Sequence, residues 1–278
     1  LMPDDDGAGV HRSSVRSLAH GDPLPAAAGA RLPVAAVTLL APLRPRRNLF
    51  CIGRNYRAHA EELSGTVFRD AVAPSPGSPG SRDRDLWPIV FTKVPETVIG
   101  PNDPVRLPGP GISEQIDYEC ELTVVIGKGG INIPRSRALE HVFGYSIVND
   151  VSARDVQTRH QQWHLGKSFD TFCPMGPCIV TADELDGTNT RVRGWVTPAG
   201  GVPELRQDGR TLDMIFDIPA QIEAISRGIT LYPGDIIATG TPSGVGMGFS
   251  PPKWLRHGDV VRIEIDGVGA IENRFEER

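Results

Sequence analysis

The stretch at 116–128, IDYECELTVVIGK, restricts the fold more than any other segment of the chain. Leu122, Val124 and Ile126 alternate with Thr123 and Val125, so this strand is expected to be covered on both faces. Residues i and i+2 of a strand point the same way. Glu119 and Glu121 therefore extend the Thr123–Val125 face, while Tyr118 and Cys120 extend the other. Burying one carboxylate costs several kcal/mol, and two neighbouring ones repel each other unless a cation lies between them. Either that face meets solvent or a cation sits on it. Mg²⁺ would satisfy the pair, since it takes oxygen ligands, keeps several waters and needs only two or three carboxylates. Asp150, at the end of the apolar run in GYSIVNDVSARD, is the leading third ligand, with the N-cap of the following helix as its structural alternative. Asp155 falls within the expected helix. Asp117 shares the glutamate face and geometry does not exclude it.

The rest of the chain reads as mostly strands, with Gly and Pro between them. Residues 1–30 are rich in Asp, Gly, Ala, Ser and Pro and read as peripheral, and a strand-like segment follows at 34–40. NLFCIG leads into NYRAHAEEL, where Asn55 is placed to cap a short helix. The Pro/Gly/Ser-rich stretch at 66–86 has no packing pattern and reads as a lid or as an insertion without structure. Strands are expected near 88–93, 103–107, 116–127 and 142–149, and later at DIIATG and VVRIEI. Asp266–Gly267 signals a hairpin turn. Helices are expected at 151–163 and at 218–226. The second has Asp217 as N-cap, Pro219 in its first turn, Gly228 past its end and Ile218, Ile222 and Ile225 on its core face. Many strands with few scattered helices indicate an α+β fold.

A chain of 278 residues can bury a full core. Its net charge of −5 argues against a nucleic-acid surface, and RPRR at 44–47 is too short to make one. The most apolar run, at 32–43, is broken by Pro33, Thr38 and Pro42, so no membrane span is expected. The acidic opening LMPDDDGAG is unlike a secretory signal, and the four cysteines show no CxxC spacing. Both features point to a cytoplasmic protein with reduced, buried thiols.

Six blocks carry a resemblance: CIGRNYRAHAEE, PIVFTKVPETVIGPNDPVRLP, IDYECELTVVIGK, GYSIVNDVSARDVQ, LGKSFDTFCPMGP and YPGDIIATGTPSGVG. In order and spacing they resemble the fumarylacetoacetate hydrolase family, over roughly residues 48–275. The likeness is greatest to small members of the acylpyruvate hydrolase and oxaloacetate decarboxylase–tautomerase type. It implies a mixed β-sheet roll of the fumarylacetoacetase C-terminal-domain type with few peripheral helices. A catalytic domain at 48–278 would follow a small N-terminal segment at 1–47, and a homodimer is implied. It also implies one Mg²⁺, with Mn²⁺ or Ca²⁺ as alternatives, on Glu119, Glu121 and Asp150.

By the same resemblance His59 and Glu62 form a catalytic pair, and their i, i+3 spacing puts both on one side of a helix. A carboxylate beside an imidazole orients it and raises its basicity. Lys167 corresponds to a lysine beside the metal that stabilises an enolate or carboxylate oxygen. Arg154, Gln157 and Thr241 correspond to substrate-binding positions. GTPSGVGMG lacks the GK[ST] ending of a phosphate loop. The implied substrate is a 2-oxo or 1,3-dicarbonyl acid reacting through an enolate. Carbon–carbon hydrolysis of the acylpyruvate type or oxaloacetate decarboxylation is the first expectation. Oxaloacetate tautomerisation or a 2-hydroxymuconate-type isomerisation is the alternative. A metal-stabilised structural dimer is the non-enzyme reading, and it makes no use of His59, Glu62 and Lys167.

Overall fold

The computed structural model of the protein describes residues 37–63, 87–159 and 162–278. Fourteen strands and four short helices run through these residues. The first strands are β1 (Leu49–Gly53), β2 (Ile89–Lys93), β3 (Val98–Ile99), β4 (Val105–Leu107) and β5 (Ile116–Asp117). Next come β6 (Cys120–Ile126), β7 (Val142–Asn149), β8 (Ser152–Ala153), β9 (Cys173–Thr181) and β10 (Arg191–Thr197). The last are β11 (Glu204–Arg210), β12 (Ile236–Ala238), β13 (Val260–Ile265) and β14 (Gly269–Glu277). The helices are α1 (Arg57–Glu62), α2 (Arg154–Gln157), α3 (His164–Lys167) and α4 (Ile218–Ser226).

A seven-stranded mixed sheet has the order β2-β1-β12-β6-β7-β9-β3, and a five-stranded one the order β11-β10-β13-β14-β4. β1 pairs parallel with β12, and β6 is held antiparallel between β12 and β7. The main core lies between the sheets, where Leu122, Val124 and Ile126 of β6 join Val192, Val196, Val261 and Ile263 of the smaller sheet. Val125, on the opposite face of β6, joins a second cluster with Leu49, Cys51, Val148 and Ile236. Both faces of β6 are therefore covered, and all seven of its residues are buried. This is the expected α+β fold with a curled mixed sheet and few helices.

Several local expectations are met. α4 starts with the Asp217 side chain accepting from the Ala220 N–H at 2.9 Å, and Gly228 beyond its end adopts φ +79°. β13 and β14 form the hairpin signalled by Asp266–Gly267. Others are corrected. Residues 37–40 are not a strand, and the rest of the 34–40 segment, like the 66–86 stretch, lies outside the described residues. The strand expected at 116–127 is broken at Tyr118 and Glu119, because β5 leaves the large sheet to pair with β8. That pairing also shortens the helix expected at 151–163. Ser152 and Ala153 are strand, α2 holds only four residues and α3 starts afresh at His164; residues 160–161 lie outside the described set.

Asn55 does not cap α1, whose N-cap is Tyr56. Instead its side-chain amide donates to the carbonyls of Phe216 and Thr239 at 2.9 and 2.7 Å and accepts from the Phe216 N–H at 2.8 Å. The requirements of this buried backbone outcompete the capping of a short helix. Among the described residues, no helix is long and apolar enough to cross a membrane.

Candidate active site

The antiparallel register of β6 on β7 sets Cys120 opposite Asn149 and Glu121 opposite Val148, so the start of β6 lies beside Asp150 at the end of β7. The Asp150 N–H donates to the Glu119 carbonyl at 2.9 Å, and the Asn149 side chain accepts from the Glu119 N–H at 3.1 Å. On the other side β12 brings the Gly240 N–H to Glu121 Oε2 at 2.8 Å. Glu119, Glu121 and Asp150 thus converge from two strand ends, with one carboxylate oxygen from each lying within 4.8 Å of the others. Asp150 does not cap a helix. Asp117 is withdrawn from the group, because its two oxygens accept from the N–H groups of Tyr118, Gly246 and Met247 and from Arg154 Nε. Asp155 is spent on Ser113, Glu114 and its neighbour Val156.

Three buried cations face these carboxylates. Lys167 Nζ lies 2.6 Å from Glu119 Oε2 and 2.8 Å from Asp150 Oδ2. Arg154 reaches Asp117 through Nε at 2.9 Å and Glu119 Oε1 through Nη1 at 2.7 Å. Lys93, at the end of β2, donates to Asp150 Oδ1 at 2.7 Å and to the Val151 carbonyl at 3.0 Å. Lys93 lies within PIVFTK, where nothing in the local sequence gives it a role. A lysine closing the apolar strand PIVFTK is the one signal that could have marked it, since a buried ammonium needs an acidic partner.

These charges push the two glutamates in opposite directions. Burial favours the neutral form of Glu119, but Lys167, Arg154 and His59 outweigh it and pull the carboxyl down to about 2. Glu121 is raised well above its ordinary value by burial and then by Asp150 and Glu119. Lys167 is raised, because Asp150 and Glu119 overcome its desolvation. Lys93, Arg154 and Lys167 bond Asp117, Glu119 and Asp150, and none of the three bonds Glu121. Three converging carboxyl groups, one of them without a cation, suit a hard divalent ion that would take the place of the Glu121 proton, so the residues fit the expected metal.

α1 presents His59 toward this cluster. The residue is 3% exposed, its Nδ1 lies 3.1 Å from Glu62 Oε2, and the Gly244 N–H donates to Glu62 Oε1 at 2.9 Å. Gly248 permits that approach, since a Cβ there would sit 2.2 Å from Glu62 Oε1. His59, Glu119, Glu121, Arg154, Lys167 and Thr241 line one cavity. Gln157 lines it too and accepts from Arg154 Nη1 at 3.0 Å, so it serves to hold the guanidinium. The Thr241 hydroxyl donates to the Cys120 carbonyl at 3.1 Å and accepts from Gln207 at 2.8 Å, so its hydrogen is already committed within the protein. Every site residue expected from the sequence reaches this cavity or, as with Glu62 and Asp150, bonds directly to a residue that lines it.

Residues 48–276 match the model of the fumarylacetoacetate (FAA) hydrolase C-terminal family. The chain belongs to this family. It is similar to oxaloacetate tautomerase YisK of Bacillus subtilis, at 47% identity over 86% of this chain and 73% of the relative. A solved fumarylacetoacetate hydrolase from Exiguobacterium antarcticum matches at 40% identity and TM-score 0.79, covering 95% of this chain and 88% of that one. A 5-carboxymethyl-2-hydroxymuconate delta-isomerase structure from Mycobacterium smegmatis matches at 39% identity and TM-score 0.72, covering 90% of this chain and 86% of that one. The family is one of enzymes. The relatives named as a tautomerase and an isomerase shift the weight from the first expectation, hydrolysis or decarboxylation, to its alternative.

Proposed function

We propose that the protein is a metal-dependent tautomerase or isomerase of a 2-oxo acid, moving a proton between carbon and oxygen of a keto–enol pair such as that of oxaloacetate. The observation that carries this reading is the His59–Glu62 pair, a single base whose Nδ1 meets a carboxylate that the Gly244 N–H in turn fixes. One fixed base and a stabilised oxygen suffice for proton transfer, and the relatives named as a tautomerase and an isomerase weigh the same way. Glu62 holds Nδ1, which leaves Nε2 of His59 for the proton on the carbon beside the 2-oxo group. Arg154 Nη2 is buried and has no hydrogen-bond partner among the described residues. A substrate oxygen would satisfy that donor, with the Lys167 ammonium beside it where charge develops. Mg²⁺, or Mn²⁺ or Ca²⁺ in its stead, held by Glu119, Glu121 and Asp150 would supply Lewis acidity toward the 2-oxo-carboxylate end. The active form is a homodimer in this reading.

The test is to follow enol–keto absorbance of oxaloacetate and pyruvate release separately, with Mg²⁺ and with EDTA. Metal-dependent tautomer interconversion without pyruvate supports the proposal. Metal-dependent pyruvate release at the same rate returns the assignment to a decarboxylase.

A further inference from the structure

Lys167, Arg154 and Lys93 account for the cations at the carboxylate end of the cavity, but a fourth cation also lines it. Arg54 lies in the turn between β1 and α1, with its guanidinium 5.5 Å from the Trp163 ring centroid. Trp163 meets Phe91 edge to face at 5.3 Å, and Phe91 in turn carries the Lys167 ammonium at 5.0 Å. An aromatic pair therefore separates two cations along one wall. Trp163 is seated closely, since a Cβ on Gly53 would fall 2.3 Å from its ring.

The backbone at Arg54 is left-handed, with φ +54°, a conformation that costs a non-glycine residue free energy and persists only where the surroundings hold it. Here they do. Gly53 is fixed by its pairing with Ile89, and Asn55 is clamped to Phe216 and Thr239. Position 54 thus projects its side chain from between two anchored neighbours, and the strain is tied to where that guanidinium points.

We infer that Arg54 is the specificity-determining residue that grips the second carboxylate of a substrate such as oxaloacetate, on the side of the cavity away from Lys167. The inference rests on the proposed reading of the site as acting on 2-oxo acids, and it names the side chain that selects the diacids among them. A guanidinium has five N–H donors in a planar fork. It can grip a carboxylate bidentately while its face stays on an indole and its remaining donors serve other contacts. A dianion entering beside Glu119, Glu121 and Asp150 needs positive charge at both ends, and a monoacid has no use for the second.

The test compares L-malate with L-lactate, which share a 2-hydroxy-carboxylate end and differ in the distal acid. Dissociation constants are measured calorimetrically on Mg²⁺-loaded wild type, Arg54→Asn and Arg54→Lys. Asn tolerates left-handed backbone, so the first variant removes the charge without forcing the turn. Wild type should prefer malate, and Arg54→Asn should lose about 10- to 100-fold in malate affinity with lactate unchanged, the range of a charged hydrogen-bonded contact. Arg54→Lys should fall between them. The KM for oxaloacetate should rise by the same factor in Arg54→Asn with kcat held within about threefold. A wild type that does not prefer malate, or an equal loss on both ligands, overturns the assignment. If malate is preferred through Arg54 but oxaloacetate is not turned over, the tautomerase reading falls and the Arg54 assignment stands.

Discussion

Replacing Lys93 with Met tests the charge balance beneath the site. Lys93 is fully buried, and its ammonium is shared between Asp150 Oδ1 and the Val151 carbonyl. Lys167 cannot take over, because its ammonium already bridges Asp150 Oδ2 and Glu119. Removing one partner of a buried pair costs about 3–5 kcal/mol, mostly because the remaining charge has lost its compensation. At about 2–4 °C per kcal/mol for a domain of this size, the thermal midpoint should fall by roughly 6–20 °C. Asp150 also loses the contact that orients it, and outer partners of metal ligands are worth about 10- to 100-fold in affinity. The assay is thermal and urea denaturation in EDTA, with calorimetric Mg²⁺ titration of the same preparations. Lys93→Met/Asp150→Asn should recover part of the stability lost in Lys93→Met alone, because the uncompensated charge is gone. A Lys93→Met variant within 1 kcal/mol of wild type (~1, below the range for a broken buried pair), with unchanged Mg²⁺ affinity, would refute the argument.

Other outcomes follow from the same geometry. His59→Asn should lower kcat by about 10²- to 10⁴-fold while leaving Mg²⁺ affinity within a few-fold, since the histidine moves protons and holds no ligand position; loss of metal binding in calorimetry would contradict this. Glu121 is an acid raised above its ordinary value of 4.5, so the folded protein binds more protons than the unfolded chain above that pH. In EDTA, stability should therefore decline as pH rises from about 4.5 toward the raised folded value, and Mg²⁺ should restore it with release of a proton; urea midpoints at pH 5 and 8 check the sign. Cys51, Cys120 and Cys173 are buried with thiols raised by burial, that of Cys173 to about 12, while Cys178 is only half-buried. A thiol reagent at pH 8 should label Cys178 first in the native protein, and labelling of a second cysteine at a similar rate would count against this packing.

The E-x-E pair was legible because period-2 alternation is local and its conflict with burial is visible in seven letters. The third carboxylate was legible only as a choice among Asp150, Asp117 and Asp155. What decides between them is the β6–β7 register and the Gly246–Met247 amides, neither of which leaves a local trace. The 151–163 helix failed for a related reason. Helical spacing in VSARDVQ is real, but Ser152 and Ala153 gain more by pairing with Ile116 and Asp117, and Arg154 is drawn to Asp117. Asn55 looked like a cap because capping is what asparagine does near a helix, yet its partners lie 161 and 184 positions away. Lys93 in PIVFTK and Arg54 in CIGRNY carry no local mark of their roles, since a lysine or arginine in a string does not show that it is buried.

β1 has its parallel partner in β12, Phe50 against Ile237 and Cys51 against Ala238. During synthesis the first strand is made long before its neighbour leaves the ribosome, and the seven-stranded sheet cannot close across its middle until then. Contacts of such long range make folding slow and leave strand edges exposed while it waits. The interval from the end of β2 at Lys93 to the start of β12 at Ile236 therefore leaves β1 and β2 as an antiparallel pair without the strand that joins them to the sheet. Chaperone demand in an expressing cell should follow the length of that interval more closely than the stability of the finished protein.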